Sequence, residues 1–227
     1  MSAGESEGLR LLCLHGYRQN ADSFRARTGA LRKALRGRAQ LLTVDAPHPV
    51  LAPAQPGGDG DGDAGSLEAA SRGWWFSDAM EGTFDALEEG PSSCGGLEES
   101  LEAVARALAE QGPVDGLLGF SQGAALVGIL CALKQRGDPR FPFRFAVLIA
   151  GFKSRAPAHR LYYQETIAVP SLHVLGETDR VIPAEMSKEL AAHFADPVVL
   201  THPGGHFVPA SAPQKKTYLE FLDQFRK

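Results

Sequence analysis

The chain has 227 residues, of which 44% are apolar and 22% charged, and its formal net charge is −4. These values are those of an ordinary soluble globular domain that buries its core without disulfide or metal staples. No run of Lys or Arg exceeds two consecutive residues, so we expect no nucleic-acid partner and no polybasic membrane surface.

The cysteines indicate a reducing compartment. Cys13, Cys94 and Cys131 are odd in number, form no Cys-x-x-Cys pair and have no zinc-like spacing with histidine. Free thiols of this kind predict a cytoplasmic location, with the nucleus as the other reducing compartment, and no metal site. Residues 1–8 contain no basic residue and no long apolar run, which predicts a flexible tail and not a signal or transit peptide.

In chain order, short apolar runs alternate with segments of helical spacing. Strands are predicted at residues 9–14, 41–44, 114–120, 145–150, 171–175 and 198–201, and helices at residues 23–35, 97–110, 122–135, 184–194 and 213–225. This alternation predicts a single α/β domain over residues 9–227, with a mostly parallel sheet and helices on both faces. Residues 52–66 contain seven Gly or Pro and predict a flexible loop.

One stretch is long enough to test for a membrane span. Residues 116–133 are 18 residues without a charge, but four glycines lie among them, with Ser121 and Gln122 near the middle. A strand, a turn and a core helix explain the stretch better than a transmembrane helix does. We therefore expect no integral membrane segment.

A nucleophile-elbow pattern, G-x-S-x-G, occurs at residues 119–123 around Ser121. In this motif the serine occupies a strained strand-to-helix turn, and the flanking glycines remove side chains that would clash there. A second copy surrounds Ser6 in the polar tail, with no strand before it and no helix after it. The context therefore selects Ser121 as the candidate nucleophile.

A serine nucleophile needs a histidine base and an acid, in the chain order Ser, acid, His. Asp179 and His206 both lie in loops that follow predicted strands, and the two glycines before His206 allow the ring to be aimed. Glu177 competes with Asp179 for the acid role, and His202 competes with His206 for the base role. We favour Asp179 and His206.

An oxyanion hole requires two backbone N–H groups, one from the residue after the nucleophile and one from a neighbouring strand end. Gln122 supplies the first, and Tyr17 is the best candidate for the second. Residues 72–77 contain both tryptophans of the chain. Trp74, Trp75 and Phe76 are therefore either a core plug or the wall of a substrate groove.

Six segments together resemble one known family: LHGYRQN (residues 14–20), TGALRK (28–33), RGWW (72–75), GFSQG (119–123), GETD (176–179) and GGHF (204–207). They are similar to the FSH family, a eukaryotic family of serine hydrolases, and the similarity spans about residues 9–225. The resemblance implies an α/β-hydrolase fold, serine esterase activity, and a triad of Ser121, Asp179 and His206. The loop expected at residues 151–169 is too short for a large cap domain.

We therefore expect a carboxylic-ester hydrolase that needs no cofactor. Its substrate is expected to be a small ester with an apolar, straight acyl or alkyl chain, which Trp74, Trp75 and Phe76 would line. An acyl thioesterase or lysophospholipase is the nearest alternative, because GFSQG also resembles the elbow of acyl-protein thioesterases. A dienelactone hydrolase fits less well, since that family uses cysteine at the elbow. A non-catalytic ligand-binding domain is the alternative from another class. The oligomeric state stays open.

Overall fold

A computed structural model describes residues 8–50, 71–87 and 94–226 of the chain. The strands in these ranges are β1 (Leu9–Leu14), β2 (Ala39–Val44), β3 (His48–Pro49), β4 (Arg72–Gly73), β5 (Gly116–Phe120), β6 (Phe145–Ile149), β7 (Ser171–Gly176) and β8 (Val198–His202). The α-helices are α1 (Ala21–Arg27), α2 (Gly29–Ala34), α3 (Leu97–Gln111), α4 (Gln122–Gln135), α5 (Ala184–Ala191) and α6 (Ala212–Asp223). The expected tail, except Gly8, and the loop expected at residues 52–66 lie outside the described residues.

Six strands form one parallel sheet in the order β2-β1-β5-β6-β7-β8. All residues of β5 and β6 are buried, as a parallel sheet covered on both faces requires. Strand β5 pairs with β1, with Leu14 opposite Gly119. Strand β8 pairs with β7, with Gly176 opposite His202. The loops that carry the candidate site residues therefore follow neighbouring strands at the carboxyl edge of the sheet.

Helices cover both faces of the sheet. Successive side chains of β1 point to opposite faces: Leu12 and Leu14 pack in the core formed with α3, α4 and α5, and Leu11 and Cys13 pack in the core formed with α1, α2 and α6. The predicted α/β architecture is confirmed.

The helix predicted at residues 23–35 is two helices, because Thr28 leaves the helical conformation with φ −98° and ψ 15°. Its hydroxyl donates to the Phe24 carbonyl oxygen at 2.8 Å. A hydroxyl bonded in this way competes with the main chain of the helix. Helix α1 begins at a capping box, in which the Ser23 N–H donates to Asn20 Oδ1 at 2.8 Å.

Between β6 and β7 the chain contains a single 3₁₀ helix, Pro157–Tyr163, and no cap domain. The uncharged residues 116–133 are β5, the Ser121 turn and most of α4. Within the described ranges, every helix is too short or too polar to cross a lipid bilayer.

Candidate active site

Ser121 occupies the sharp turn between β5 and α4. Its φ is 54° and its ψ is −118°, a conformation that residues with a Cβ rarely adopt. The Ser121 N–H donates to the Ile149 carbonyl oxygen of β6 at 2.9 Å, which fixes the turn against the sheet. A Cβ at Gly123 would overlap the carbonyl oxygen of Leu14, so glycine is needed there for α4 to lie against β1. The strand, turn and helix expected around Ser121 are therefore present.

Asp179 and His206 form a hydrogen-bonded pair in the loops after β7 and β8. The distance from His206 Nδ1 to Asp179 Oδ2 is 2.7 Å. The other carboxylate oxygen, Asp179 Oδ1, accepts the N–H groups of Val181 at 2.9 Å and Ile182 at 2.8 Å. The carboxylate is thus held from both sides, and it fixes the direction of the imidazole ring.

Ser121 and His206 line the same cavity. The ring of Phe120, the residue before Ser121, lies with its centroid 4.7 Å from that of His206. The structure therefore brings the candidate nucleophile and the hydrogen-bonded pair to one place at the edge of the sheet.

The rival residues lie elsewhere. His202 is buried, its Nδ1 accepts the Gly204 N–H at 3.2 Å, and its ring packs edge-on against Phe207. Burial lowers the pKa of His202. The Glu177 side chain is exposed, and neither residue lines the cavity of Ser121. Ser6 lies outside the described residues.

The two expected oxyanion donors lie at the ends of adjacent strands. Gly16 and Tyr17 follow β1 and line the cavity, and Gln122 is the first residue of α4, fully buried. In the described part of the chain, neither the Tyr17 N–H nor the Gln122 N–H is used by another acceptor. Both groups are therefore available to an anion, and the N-terminus of α4 favours negative charge.

The ring of His15 holds the loop that contains Tyr17. His15 Nε2 accepts the Ala46 N–H at 3.0 Å, so Nδ1 carries the proton and donates to the Gly16 carbonyl oxygen at 2.8 Å. Burial lowers the pKa of His15 to about 4, which keeps the ring neutral and this tautomer in place. Gln19 Oε1 accepts the Gly16 N–H at 2.8 Å.

The cavity has a volume of about 600 Å³ and a largely apolar lining. Its apolar residues are Phe24, Phe84, Ala86, Leu87, Phe120, Val181, Ile182, Phe207 and Val208. Three of them remain strongly exposed at the mouth: Leu87 at 54%, Val181 at 55% and Phe207 at 49%. The cavity is suited to an apolar chain that enters from solvent.

The structure does not bring Trp74, Trp75 or Phe76 to the cavity wall. Trp74 and Trp75 are 0% and 1% exposed and belong to the core, and the Phe76 ring packs against that of His48. Phe84 lines the cavity where the tryptophans were expected. The Trp75 ring packs edge-on against Phe84 with the ring centroids 5.5 Å apart, and Trp75 does not line the cavity. Of the two alternatives for the tryptophans, the core position is observed: the Trp74 ring packs against His15, and the Trp75 ring packs against Phe152 and His159.

The sequence pattern did not indicate residues 84–87 or Arg27 as parts of the cavity. Residues 84–87 form no regular secondary structure, so periodicity carries no signal about which way their side chains point. Arg27 lies in the last turn of α1 and is exposed, which is also the pattern of a solvated helix face.

Comparison with known proteins identifies the family. The family model described as "Serine hydrolase (FSH1)" matches residues 2–218. The protein named Esterase OVCA2 from Xenopus tropicalis is 61% identical over 223 residues, covering 98% of this chain and 96% of that protein. Esterase OVCA2 from Homo sapiens is 55% identical over 222 residues, covering 96% of each.

Solved structures show the same fold at low identity. Esterase PE8 superposes with a TM-score of 0.62 at 19% identity, covering 97% of this chain and 94% of that one. Acyl-protein thioesterase 2 of Zea mays superposes with a TM-score of 0.62 at 18% identity, covering 98% and 97%. The fold is therefore that of α/β hydrolases, and the chain belongs to the FSH1 family of serine hydrolases.

Proposed function

We propose that this chain is a serine carboxylesterase in which Ser121, Asp179 and His206 form the catalytic triad. The observation that carries the proposal is the 2.7 Å contact between His206 Nδ1 and Asp179 Oδ2, beside the cavity that Ser121 lines. Their order along the chain is the order found in α/β hydrolases. Membership of a serine hydrolase family supports the reaction class.

Acylation begins at neutral His206. Its Nδ1–H is donated to Asp179, so the Nε2 lone pair accepts the Ser121 proton as Oγ bonds to the ester carbonyl carbon. The carbonyl π electrons move to oxygen, and the Tyr17 and Gln122 N–H groups stabilise the resulting oxyanion. The tetrahedral intermediate then collapses, and His206 protonates the departing alcohol.

Deacylation repeats these steps with water as the nucleophile. His206 accepts a proton from water, the hydroxide attacks the acyl carbon, and the proton returns to Ser121 Oγ as the carboxylic acid leaves. In both halves Asp179 stabilises the imidazolium. Its two bonds from Val181 and Ile182 hold the carboxylate still while the charge on the ring changes.

Labelling with a fluorophosphonate tests the assignment. The probe forms a covalent bond with an activated serine, and peptide mapping is expected to place it on Ser121 in the wild type and nowhere in Ser121→Ala. Competition with a panel of acyl esters then ranks substrates. An unlabelled wild-type protein would contradict the proposal and favour a non-catalytic ligand-binding domain.

The apolar lining supports a preference for straight acyl or alkyl chains. Each methylene that becomes buried contributes about 0.8 kcal/mol, or about fourfold in kcat/KM, until the cavity is full. We expect this rise in a series of aryl esters from acetyl to decanoyl, and a shallower rise in Leu87→Ala. Met80→Ala is the control, because Met80 is 89% exposed and does not line the cavity. A flat series in the wild type would exclude the chain-binding role.

An oxyester and a thioester of the same acyl group separate the proposed activity from its nearest alternative. A carboxylesterase is expected to show the higher kcat/KM on the oxyester. A clear preference for the thioester would identify an acyl thioesterase, and selective turnover of single-chain phospholipids a lysophospholipase.

The cysteines support a reducing compartment, the cytoplasm or the nucleus. All three are free thiols, and Cys13 and Cys131 are buried. Burial raises the pKa of Cys13 to about 12, so this thiol stays protonated and unreactive. Fractionation of cells that express the tagged chain tests the location.

A further inference from the structure

Residues 72–75 hydrogen-bond to both segments that hold the proposed oxyanion donors, the loop after β1 and the first residue of α4. On one side, the Trp74 indole N–H donates to the carbonyl oxygen of His15, after β1, at 2.8 Å. On the other side, the Gln122 side chain accepts the Trp74 N–H at 2.9 Å and donates to the Trp75 carbonyl oxygen at 2.8 Å. This segment is therefore a direct link between the end of β1 and the start of α4.

The same segment also pairs with the residues that follow Tyr17. The Arg18 N–H donates to the Arg72 carbonyl oxygen at 2.8 Å, and the Arg72 N–H donates to the Gln19 carbonyl oxygen at 2.9 Å. A Cβ on Gly73 would lie 2.9 Å from the Tyr17 ring, so the Gly73 main chain packs closely against that ring. The loop after β1 is thus held along its length and at its carbonyl groups.

A third element anchors the link. Ser100 of α3 donates its hydroxyl to the Trp74 carbonyl oxygen. Ser100, Trp74 and Gln122 are each 0% exposed, so water does not compete for these hydrogen bonds. Moving the segment would leave buried polar groups without partners, which is costly in a core.

We infer that Trp74 is a positioning residue that holds the Tyr17 N–H and the Gln122 N–H at one fixed separation. Its indole N–H fixes the His15–Gly16 peptide, next to the peptide that bears the Tyr17 N–H. Its main chain fixes Gln122 through the side-chain amide. The inference deepens the proposed esterase function and rests on it, because the two N–H groups are the proposed oxyanion donors.

Its kinetic consequence differs from that of ordinary core packing. An oxyanion exists only after the nucleophile has attacked, so misplaced donors weaken binding of the transition state and leave binding of the substrate unchanged. Loss of a whole oxyanion donor costs about 10²–10³-fold in kcat. A donor that is displaced but still present costs less, and we expect kcat to fall by about 10–100-fold.

The first test compares Trp74→Phe with Trp75→Phe. Both remove the same ring volume from the core, but in the described part of the chain the Trp75 indole N–H makes no hydrogen bond, so only Trp74→Phe removes a link. The probes are an octyl trifluoromethyl ketone, which forms an oxyanionic adduct with serine, and the corresponding methyl ketone as a ground-state ligand. In Trp74→Phe we expect weaker inhibition by the trifluoromethyl ketone, by about 10–100-fold, an equal fall in kcat, and methyl ketone affinity within about twofold of wild type.

A second pair of variants, with smaller substitutions, tests the same inference if Trp74→Phe does not fold. Ser100→Ala removes the support of Trp74 and is expected to weaken trifluoromethyl ketone inhibition by about 3–10-fold. Ser187→Ala is its matched control, since Ser187 is also buried in a helix and donates its hydroxyl to a main-chain carbonyl, that of Gly151, at 2.6 Å. In Ser187→Ala the ratio of the two ketone affinities is expected to stay at the wild-type value.

The inference would be overturned if the ratio of the two ketone affinities were the same in Trp74→Phe as in Trp75→Phe, and the same in Ser100→Ala as in Ser187→Ala. It would also be overturned if Trp74→Phe lost affinity for both ketones to the same extent. Fluorophosphonate labelling of the same samples keeps the two proposals apart. If Ser121 of the wild type is labelled and the ratios are equal, the positioning role of Trp74 fails and the esterase proposal stands. If Ser121 of the wild type is not labelled, the esterase proposal fails first.

Discussion

Ser121 stores backbone strain at the centre of the site. Its φ of 54° and ψ of −118° lie in a region that glycine adopts far more readily than other residues. Such strain costs about 1–3 kcal/mol and persists only where the surrounding structure enforces it. Here the hydrogen bond to Ile149 and the close approach of α4 to β1 enforce it.

Two inactive variants separate the chemistry of Ser121 from its strain. Ser121→Ala and Ser121→Gly both remove the hydroxyl, and we expect each to lose about 10³-fold or more in kcat. Only the glycine variant relieves the strained Cβ, so it is expected to be more stable than Ser121→Ala by about 1 kcal/mol in urea unfolding. Activity retained in either variant would contradict the role of Ser121, and equal stabilities would contradict the strain.

His202, the last residue of β8, and His206, in the loop after it, are expected to respond in opposite ways to substitution. His206→Ala removes the proposed base and is expected to abolish turnover with little change in the unfolding midpoint. His202→Ala removes a buried ring that accepts the Gly204 N–H, so it is expected to keep most of kcat and to lower the midpoint. Measuring both quantities for both variants checks the assignment, and an inactive but stable His202→Ala protein would reverse it.

At the scale of elements, regular strands and helices follow from the spacing of apolar residues. The break between α1 and α2 does not, because it depends on one hydroxyl bond from Thr28 to the Phe24 carbonyl. The pair of β3 and β4 was also not predicted. It has two residues in each strand, His48–Pro49 and Arg72–Gly73, and periodicity cannot be recognised over two residues.

Two glycines of α4 are expected to differ sharply in tolerance to alanine. At Gly123 an added Cβ would overlap the main-chain oxygens of Leu14 and His15, which cannot move without displacing β1. At Gly128 it would lie 3.3 Å from Leu190 Cδ1, a flexible side chain. We expect Gly123→Ala to lose several kcal/mol, as overpacking against backbone does. Gly128→Ala is expected to stay within about 1 kcal/mol of wild type, because alanine favours the helix.

Urea unfolding of the two variants checks this difference. Equal stabilities would show that α4 can shift relative to β1. The rigid position of the elbow would then have to come from other contacts.

At the scale of the whole molecule, three of the buried histidines have strongly lowered pKa values. Burial lowers the pKa of His15 and His159 to about 4 and that of His173 to about 3. The unfolded chain binds protons at these sites near the ordinary value of 6.5, so between pH 6.5 and pH 4 it holds more protons than the folded chain. The stabilisation is therefore complete above pH 6.5 and is lost as the pH falls towards 4.

We expect the urea midpoint to be clearly lower at pH 5 than at pH 7.5. His159→Gln keeps an amide for the Ser154 hydroxyl, which His159 Nδ1 contacts at 2.7 Å, and removes one titrating group. At pH 5 the free energy of unfolding of His159→Gln is expected to change with pH less steeply than that of the wild type. The two slopes are expected to differ by about 1.4 kcal/mol per pH unit. An unchanged slope would show that His159 is not neutral in the folded chain.

The sequence could predict those residues of the candidate site that lie in turns and loops after strands. Ser121 comes directly after an apolar run, and Asp179 and His206 lie in the short loops after two others. Parallel strands bring such loops to one edge of the sheet. The role of Trp74 could not be predicted in this way. Its burial depends on contacts with His15, Gln122 and Ser100, which are distant in the sequence and leave no periodic pattern.

The proposed base follows β8 and the proposed nucleophile follows β5, and these two strands differ in how well they are shielded from solvent. Among the described strands β8 lies at the edge of the sheet, and its Val198 and Val199 are 38% and 48% exposed, whereas β5 is wholly buried. Local opening concentrates where few buried contacts hold a strand. Heating is therefore expected to abolish turnover some degrees below the global melting temperature, through fraying of β8. At that point amide hydrogen exchange would still be slow in β5, so that thermal inactivation reports the edge of the sheet and not its centre.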